Sequence, residues 1–326
     1  MKKLYPFIFE PILKEVLWGG TDICPFKGLP PSEAKIGESW ELSDVAGHSS
    51  VIVNGEYAGQ TLNWLMKNCA HELLGSVLEE RYRERFPLLV KFIDAKHDLS
   101  IQVHPDDTLA KARHNSFGKT EMWYVVKAHN NASLYSGFSQ QIDADEYLRR
   151  IADGTFTDVL KRYAVKTGDV FFLPAGRVHA IGAGCFMAEI QQTSDITYRI
   201  YDYDRRDADG NKRELHTELA KDAIDYTVHS DYRTDYKIVP NGCTPLADCS
   251  YFTTNLYDLN APVVNDYSSN CSFVIYIVVE GAAMLRDDAG NELSVLRGQT
   301  VLFPASTQTV AITPSGQAKI IETFCR

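Results

Sequence analysis

The chain contains no C-x-x-C pair, no long apolar run and no excess of positive charge. Its seven cysteines (Cys24, Cys69, Cys185, Cys243, Cys249, Cys271, Cys325) are odd in number and scattered, which argues against a disulfide framework and reads as reduced core thiols of a cytoplasmic protein. Lys and Arg number 33 against 43 Asp and Glu, a formal charge of −10. The positive field that a nucleic-acid backbone requires is therefore missing, and an anionic substrate would need a local basic pocket. The most apolar later stretch, residues 273–279, is far shorter than the roughly 20 residues of a spanning helix. At the amino terminus, two lysines and a short apolar run are broken by Pro6, Glu10 and Pro11, which suits an entry strand better than a signal peptide. The expected partner is a small molecule, with neither nucleic acid nor membrane; the oligomeric state is left open.

What is present is enough apolar residue, 44% of 326, to build a substantial core. Most of it falls in short or alternating segments bounded by Gly, Pro, Asn and Asp, the pattern of a β-sandwich or barrel. Strands are expected at 50–53, 88–93, 99–103, 121–127, 170–173, 197–201, 273–279 and 300–303. Helical periodicity is confined to 61–69, 72–84, 143–152, where Asp143 and Glu146 form a capping-box pattern, and 214–226. The loop VPNGCTP follows the last of these, so the chain divides into units at 1–235 and 236–326. GDVFFLPAGRVHAI from Gly168 and GQTVLFPASTQTVAI from Gly298 share a G-x5-P frame. In that alignment Pro174 pairs with Pro304, and His179 falls opposite Thr309.

Three segments carry chemistry. In LSIQVHPDD, strand alternation projects Gln102 and His104 from one face, and Pro105 ends the ladder just beyond them. GKTEMWYVV places Glu121 among apolar neighbours, where an ionised carboxylate costs several kcal/mol unless a cation accompanies it. PAGRVHAIG delivers His179 from a proline–glycine turn. Gly168, Pro174, Gly176 and His179 match G-x5-P-x-G-x2-H, the second motif of the cupin barrel. Imidazole and carboxylate are standard zinc donors. Lys119, two residues before Glu121, and Lys91, a charge inside LLVKFIDA, are candidates for handling substrate, as are Glu38 and Glu41 in GESWELS. Asp106 and Asp107 read as a turn, Tyr198, Tyr201 and Tyr203 as packing residues, and the other histidines as surface residues.

Taken together, IGESWELS (from Ile36), FPLLVKFIDA (Phe86), LSIQVHPDD (Leu99), GKTEMWYVV (Gly118), GDVFFLPAGRVHAIG (Gly168) and AEIQQTSDITYRIYDYDR (Ala188) resemble the short form of the type I mannose-6-phosphate isomerases. The resemblance spans about residues 5–206. It implies an all-β fold of two cupin-like jelly-roll barrels with a few decorating helices, the second barrel degenerate. It implies one zinc ion on His104, Glu121 and His179 with Gln102 as a further ligand, and Arg199 as an active-site arginine. The implied reaction interconverts mannose 6-phosphate and fructose 6-phosphate through an enediolate, which a guanidinium is suited to stabilise. Two histidines and a carboxylate also make the Fe(II) triad of oxygenases, though Gln102 would fill a position oxygen needs. A sugar-binding cupin without catalysis is the other alternative.

Overall fold

The structure is a computed structural model that describes residues 4–206 and 209–326. It is built from four sizeable antiparallel sheets arranged as two sandwiches. In the first sandwich the inner sheet runs Val170–Leu173, Glu121–Ala128, Cys185–Gln192, Leu88–Ala95, Ile12–Gly20, Ile36–Leu42, and the outer sheet Leu160–Ala164, Ser133–Phe138, His179–Ile181, Ile101–Val103, Tyr198–Tyr201. In the second sandwich the inner sheet runs Phe7–Ile8, Thr300–Phe303, Val274–Glu280, Ala318–Phe324, Thr253–Leu259, Cys243–Asp248, and the outer sheet Val263–Asp266, Thr309–Pro314, Ala282–Asp287, Glu292–Leu296. The fold is mostly β, as expected, but among the described residues no sheet closes on itself into a barrel.

Alternation along the inner strands explains the layering. Met122, Tyr124, Ala188 and Ile190 face the second sandwich, where Ile275, Ile277, Leu302 and Ile321 meet them in one central core. The intervening Trp123, Val125 and Met187 face the first outer sheet and its Leu134 and Ile181. With both faces covered, Leu88–Ala95 and Cys185–Gln192 are buried along their whole length. Any polar residue in them must therefore find a partner inside the protein. The N-terminal strand adds to the second sandwich, with Phe7 paired to Leu302 and Ile8 to Val301.

Expected strands at 88–93, 121–127, 170–173 and 300–303 appear as Leu88–Ala95, Glu121–Ala128, Val170–Leu173 and Thr300–Phe303. Residues 50–53 make only isolated bridges, Val51 to Thr61 and Ile52 to Phe9. Thr61 and Asp143 cap helices Leu62–Asn68 and Ala144–Ala152, each accepting a backbone N–H three residues on. The periodicity over 72–84 is divided into Ala70–Leu74 and Ser76–Arg81 by Gly75. Its φ is +82°, and any Cβ there would lie 2.4 Å from the Cys271 carbonyl oxygen. The periodicity over 214–226 gives helix Thr217–Ala223, shorter than that span. The turn expected at Asp106 and Asp107 is instead the start of helix Asp107–His114. Asp106 accepts from the Leu109 N–H at 2.8 Å, and Asn115 closes the helix in the left-handed region.

All seven cysteines are free, but only Cys24, Cys185 and Cys325 are buried; Cys243 and Cys271 are exposed, so not all are core thiols. The two repeat units coincide in structure. Gly168 and Gly298 have φ of +90° and +85°, the Arg177 N–H donates to the Pro174 oxygen as the Thr307 N–H does to that of Pro304, and strands open at His179 and Thr309.

A candidate metal centre on the first sandwich

The two sheets of the first sandwich bring the widely spaced polar residues to one point. Gln102 and His179 are directly paired across the outer sheet, and Arg199 pairs with Gln102 on its other side, so all three side chains leave the same face. Glu121 comes from the opposing inner sheet, where it begins its strand opposite Leu173. One donor atom each of His104, Glu121 and His179 lies within 4.8 Å of the others, and all three residues are buried.

Backbone carbonyls settle what each ring presents. The His104 Nδ1–H donates to the Ile196 oxygen at 2.9 Å, and the His179 Nδ1–H to the Arg177 oxygen at 2.8 Å. Each Nε2 therefore carries its lone pair toward the centre. His179 Nε2 lies 3.2 Å from Glu121 Oε1, and His104 Nε2 lies 3.6 Å from Oε2. Burial, with Lys119 adding to it, pushes the His104 pKa far down, and burial takes that of His179 to about 3, so both rings are neutral and able to ligate. The Gln102 carboxamide Nε2 stands 3.3 Å from His179 Nε2. The Trp123 ring meets His179 edge-on, with centroids 5.2 Å apart, and fixes the imidazole from the side.

Glu121 fits a metal best of all. It is fully buried, and neither carboxylate oxygen accepts a hydrogen bond, although Lys119 Nζ stands 3.1 Å from Oε2 without bonding geometry. Burial raises its pKa against the opposing pull of Lys119. Two neutral nitrogen donors facing an unsatisfied carboxylate are a donor set for a divalent ion.

Lys119 is buried, with Nζ 3.2 Å from His104 Nε2, rather than an exposed loop lysine. Arg199 is half buried; one terminal nitrogen, Nη1, donates to the Glu214 oxygen at 3.0 Å, while its buried Nε has no partner. The nearby Asp202 is engaged by Arg205 and Arg213 rather than by Arg199. Lys91 Nζ lies 3.2 Å from Glu189 and 3.9 Å from Glu38, whose carboxylate also accepts from the Trp40 indole at 2.6 Å. Glu41 turns to the other side of its strand, where Lys27 Nζ binds it at 2.6 Å and also reaches the Gly298 carbonyl oxygen. Of the remaining histidines only His216 is half buried, and its Nδ1 accepts the Arg199 N–H at 3.0 Å.

Two residues of the site escape the sequence reading. Glu189 is buried between Lys91 and the Trp123 indole, which donates to it at 2.8 Å. Burial opposes its charge, but Lys91 and Lys119 together hold the carboxyl well below the usual range. The signal for it is the one that drew attention to Lys91, a charge inside an apolar strand, and the two are direct cross-strand partners. Ser136 pairs with His179 on the neighbouring strand and holds a buried hydroxyl with no partner. Nothing in its local sequence marks it.

Residues 7–133 match the family model for the catalytic domain of type I phosphomannose isomerase, and residues 243–325 that for the mannose-6-phosphate isomerase cupin domain. The chain is 38% identical over 284 residues to the mannose-6-phosphate isomerase ManA of Bacillus subtilis, covering 85% of this chain and 86% of that protein. It is 37% identical to the mannose-6-phosphate isomerase of Streptococcus mutans over 67% of each. The crystal structure of the mannose 6-phosphate isomerase from Bacillus subtilis superimposes with a TM-score of 0.87 and 32% identity, covering 98% of this chain and 99% of that one. Among the described residues no helix is long and apolar enough to cross a membrane.

Proposed function

The chain belongs to the type I mannose-6-phosphate isomerase family, and from that premise we propose that it interconverts D-mannose 6-phosphate and D-fructose 6-phosphate using one zinc ion held by His104, Glu121, His179 and Gln102. The family sets aside the oxygenase and the purely sugar-binding alternatives. In the isomerisation a proton leaves the carbon beside the carbonyl, an enediolate forms, and a proton returns to the neighbouring carbon. Two neutral imidazoles, one carboxylate and a divalent ion leave a charge of about +1 at the site, and such an ion supplies polarisation and orientation of the sugar oxygens without redox change.

The chain's own groups do the rest. Arg199, beside Gln102 on the same sheet face, presents a permanently charged guanidinium to the anionic intermediate or the phosphate. The Lys119 ammonium, within reach of both His104 and Glu121, orients a sugar hydroxyl or relays its proton. Lys91 and Glu38 serve as substrate contacts, with Glu189 fixing the lysine. Residues 1–235 form the catalytic unit and 236–326 its companion, and we place the enzyme in the cytoplasm.

The observation that carries the reading is Glu121: a buried carboxylate without a hydrogen bond, faced by two imidazole lone pairs. Chelation is expected to abolish turnover in a coupled assay with the two sugar phosphates, and stoichiometric zinc to restore it. Full activity in rigorously metal-free protein would refute the metal's role.

A further inference from the structure

The second sandwich contains a buried polar cluster that the isomerase reaction does not use. Its geometry is best seen through its equivalence to the first. The Gly168 N–H donates to the Val125 oxygen and the Val125 N–H to that of Asp169; Gly298, Val278 and Gln299 repeat the pattern. Following the ladders outward from this match, Glu121 corresponds to Val274, Trp123 to Tyr276, Glu189 to Glu322 and Lys91 to Asn255. The metal ligands Glu121 and His179 are thus replaced by Val274 and Thr309, and the lysine beside the glutamate by a neutral amide. The glutamate itself is kept.

Glu322 is only 2% exposed. It accepts from Asn255 Nδ2 at 2.7 Å, from Tyr257 at 3.4 Å, from Tyr276 at 3.5 Å and from Tyr267, whose hydroxyl also meets that of Tyr276. Asn265 Nδ2 reaches the hydroxyls of Tyr267 at 3.2 Å and Tyr276 at 3.0 Å. A cavity of about 530 Å³ opens onto this cluster from the surface, lined by Glu322, Asn255, Tyr257, Tyr267 and Asn265 and by the exposed Val264, Asp266 and Arg326. The volume is within the roughly 300–1,000 Å³ of small-molecule sites. Asn270, also in the wall, has a buried amide nitrogen without a partner.

We propose that this cavity binds a small uncharged polyhydroxylated molecule, a free sugar rather than a sugar phosphate, at a site separate from the metal centre. Each phenol that donates to Glu322 keeps oxygen lone pairs for a ligand, and the carboxamides add donors and acceptors, the mixed pattern that vicinal hydroxyls match. The one cation of the lining, Arg326, is exposed and lies 3.5 Å from Asp248, and the exposed Asp266 adds a negative charge; no cation stands among the buried groups, since the position of Lys91 is taken by Asn255. Thr309 and Val274 leave no donor set for a metal. Burial raises the Glu322 pKa against the hydrogen bonds from its four donors.

The test uses the full-length zinc enzyme with ring-labelled tyrosine, its resonances assigned by single Phe substitutions at Tyr257, Tyr267 and Tyr276. D-mannose and D-fructose are titrated in while fructose 6-phosphate is held at saturation. A saturable shift of these three resonances is expected. Glu322→Gln should weaken it about tenfold. Val264→Trp adds bulk to the exposed part of the lining, at a position 69% exposed, and should abolish the shift while leaving isomerase activity unchanged. The proposal is overturned if neither sugar shifts the tyrosines, if methylammonium shifts them and the sugars do not, or if the response survives Val264→Trp intact. Because the readout is local to the second sandwich, failure here leaves the isomerase reading standing, and loss of isomerase activity would not mimic it.

Discussion

Each sandwich buries one glutamate at the same point of its ladder, Glu189 in the first and Glu322 in the second, and their surroundings shift the two carboxyls in opposite directions. Glu189 has Lys91 across the strand at 3.2 Å, and the lysines hold its carboxyl ionised. Glu322 has Asn255 in that place and a ring of tyrosines around it, and burial drives its pKa up. One cross-strand position therefore decides whether the same framework sets a cation or a neutral amide beside its buried glutamate. The proposed metal ligands follow the same division: the buried Glu121 carboxylate faces two imidazoles and the Lys119 ammonium at 3.1 Å, and the corresponding position is Val274 where none of these stands.

The most severe way to break the comparison is His179→Thr, which copies Thr309 into the first sandwich. Metal content by mass spectrometry should fall to background, and kcat should drop by more than the roughly 10- to 100-fold that loss of an outer-shell partner costs. Next, Arg199→Ala should lower kcat about 10²- to 10³-fold while the bound metal stays stoichiometric, since the guanidinium acts on charge that develops during the reaction. An unchanged kcat would remove Arg199 from the site. Lys91→Asn then tests the deciding position itself: leaving Glu189 buried without its cation should cost about 3 kcal/mol of stability, read from the urea midpoint. The smallest effect is expected in the second sandwich. Glu322 has a raised pKa, so its stabilising contribution is complete below the unfolded carboxyl value and is lost as pH rises through the folded one. Glu322→Gln, which cannot ionise, should therefore gain on the natural chain as pH rises from the ordinary glutamate value of about 4.3 into the range above it. A pH-independent difference between the two would show that Glu322 does not titrate in this range.

The fold was legible wherever alternation and turn chemistry agreed. Val170–Leu173 and Thr300–Phe303 stand where their apolar runs and bounding glycine and proline place them, and the caps at Thr61 and Asp143 form as their spacing suggests. Asp106 went astray because an aspartate pair after a proline serves a turn and an N-cap equally well; the left-handed Asn115 was the second signal for a helix. Residues 72–84 keep helical periodicity across Gly75, and only the nearby Cys271 carbonyl, distant in sequence, shows why a glycine must interrupt it.

For the site, the sequence by itself selected the side chains able to hold a divalent ion, because strand alternation aligns Gln102 with His104 and because Glu121 has no reason to lie among apolar residues without a cation. Tertiary structure alone decided what those groups face. Hydrogen bonds from Nδ1 to the carbonyls of Ile196 and Arg177 set both tautomers, cross-strand pairing brought Glu189 to Lys91 and Ser136 to His179, and the turn of one strand sent Glu41 to Lys27 and away from the centre. Local sequence encodes which face of its own strand a residue takes, whereas its partner is set by the register between strands far apart in the chain, and that register exists only once the sheets have assembled.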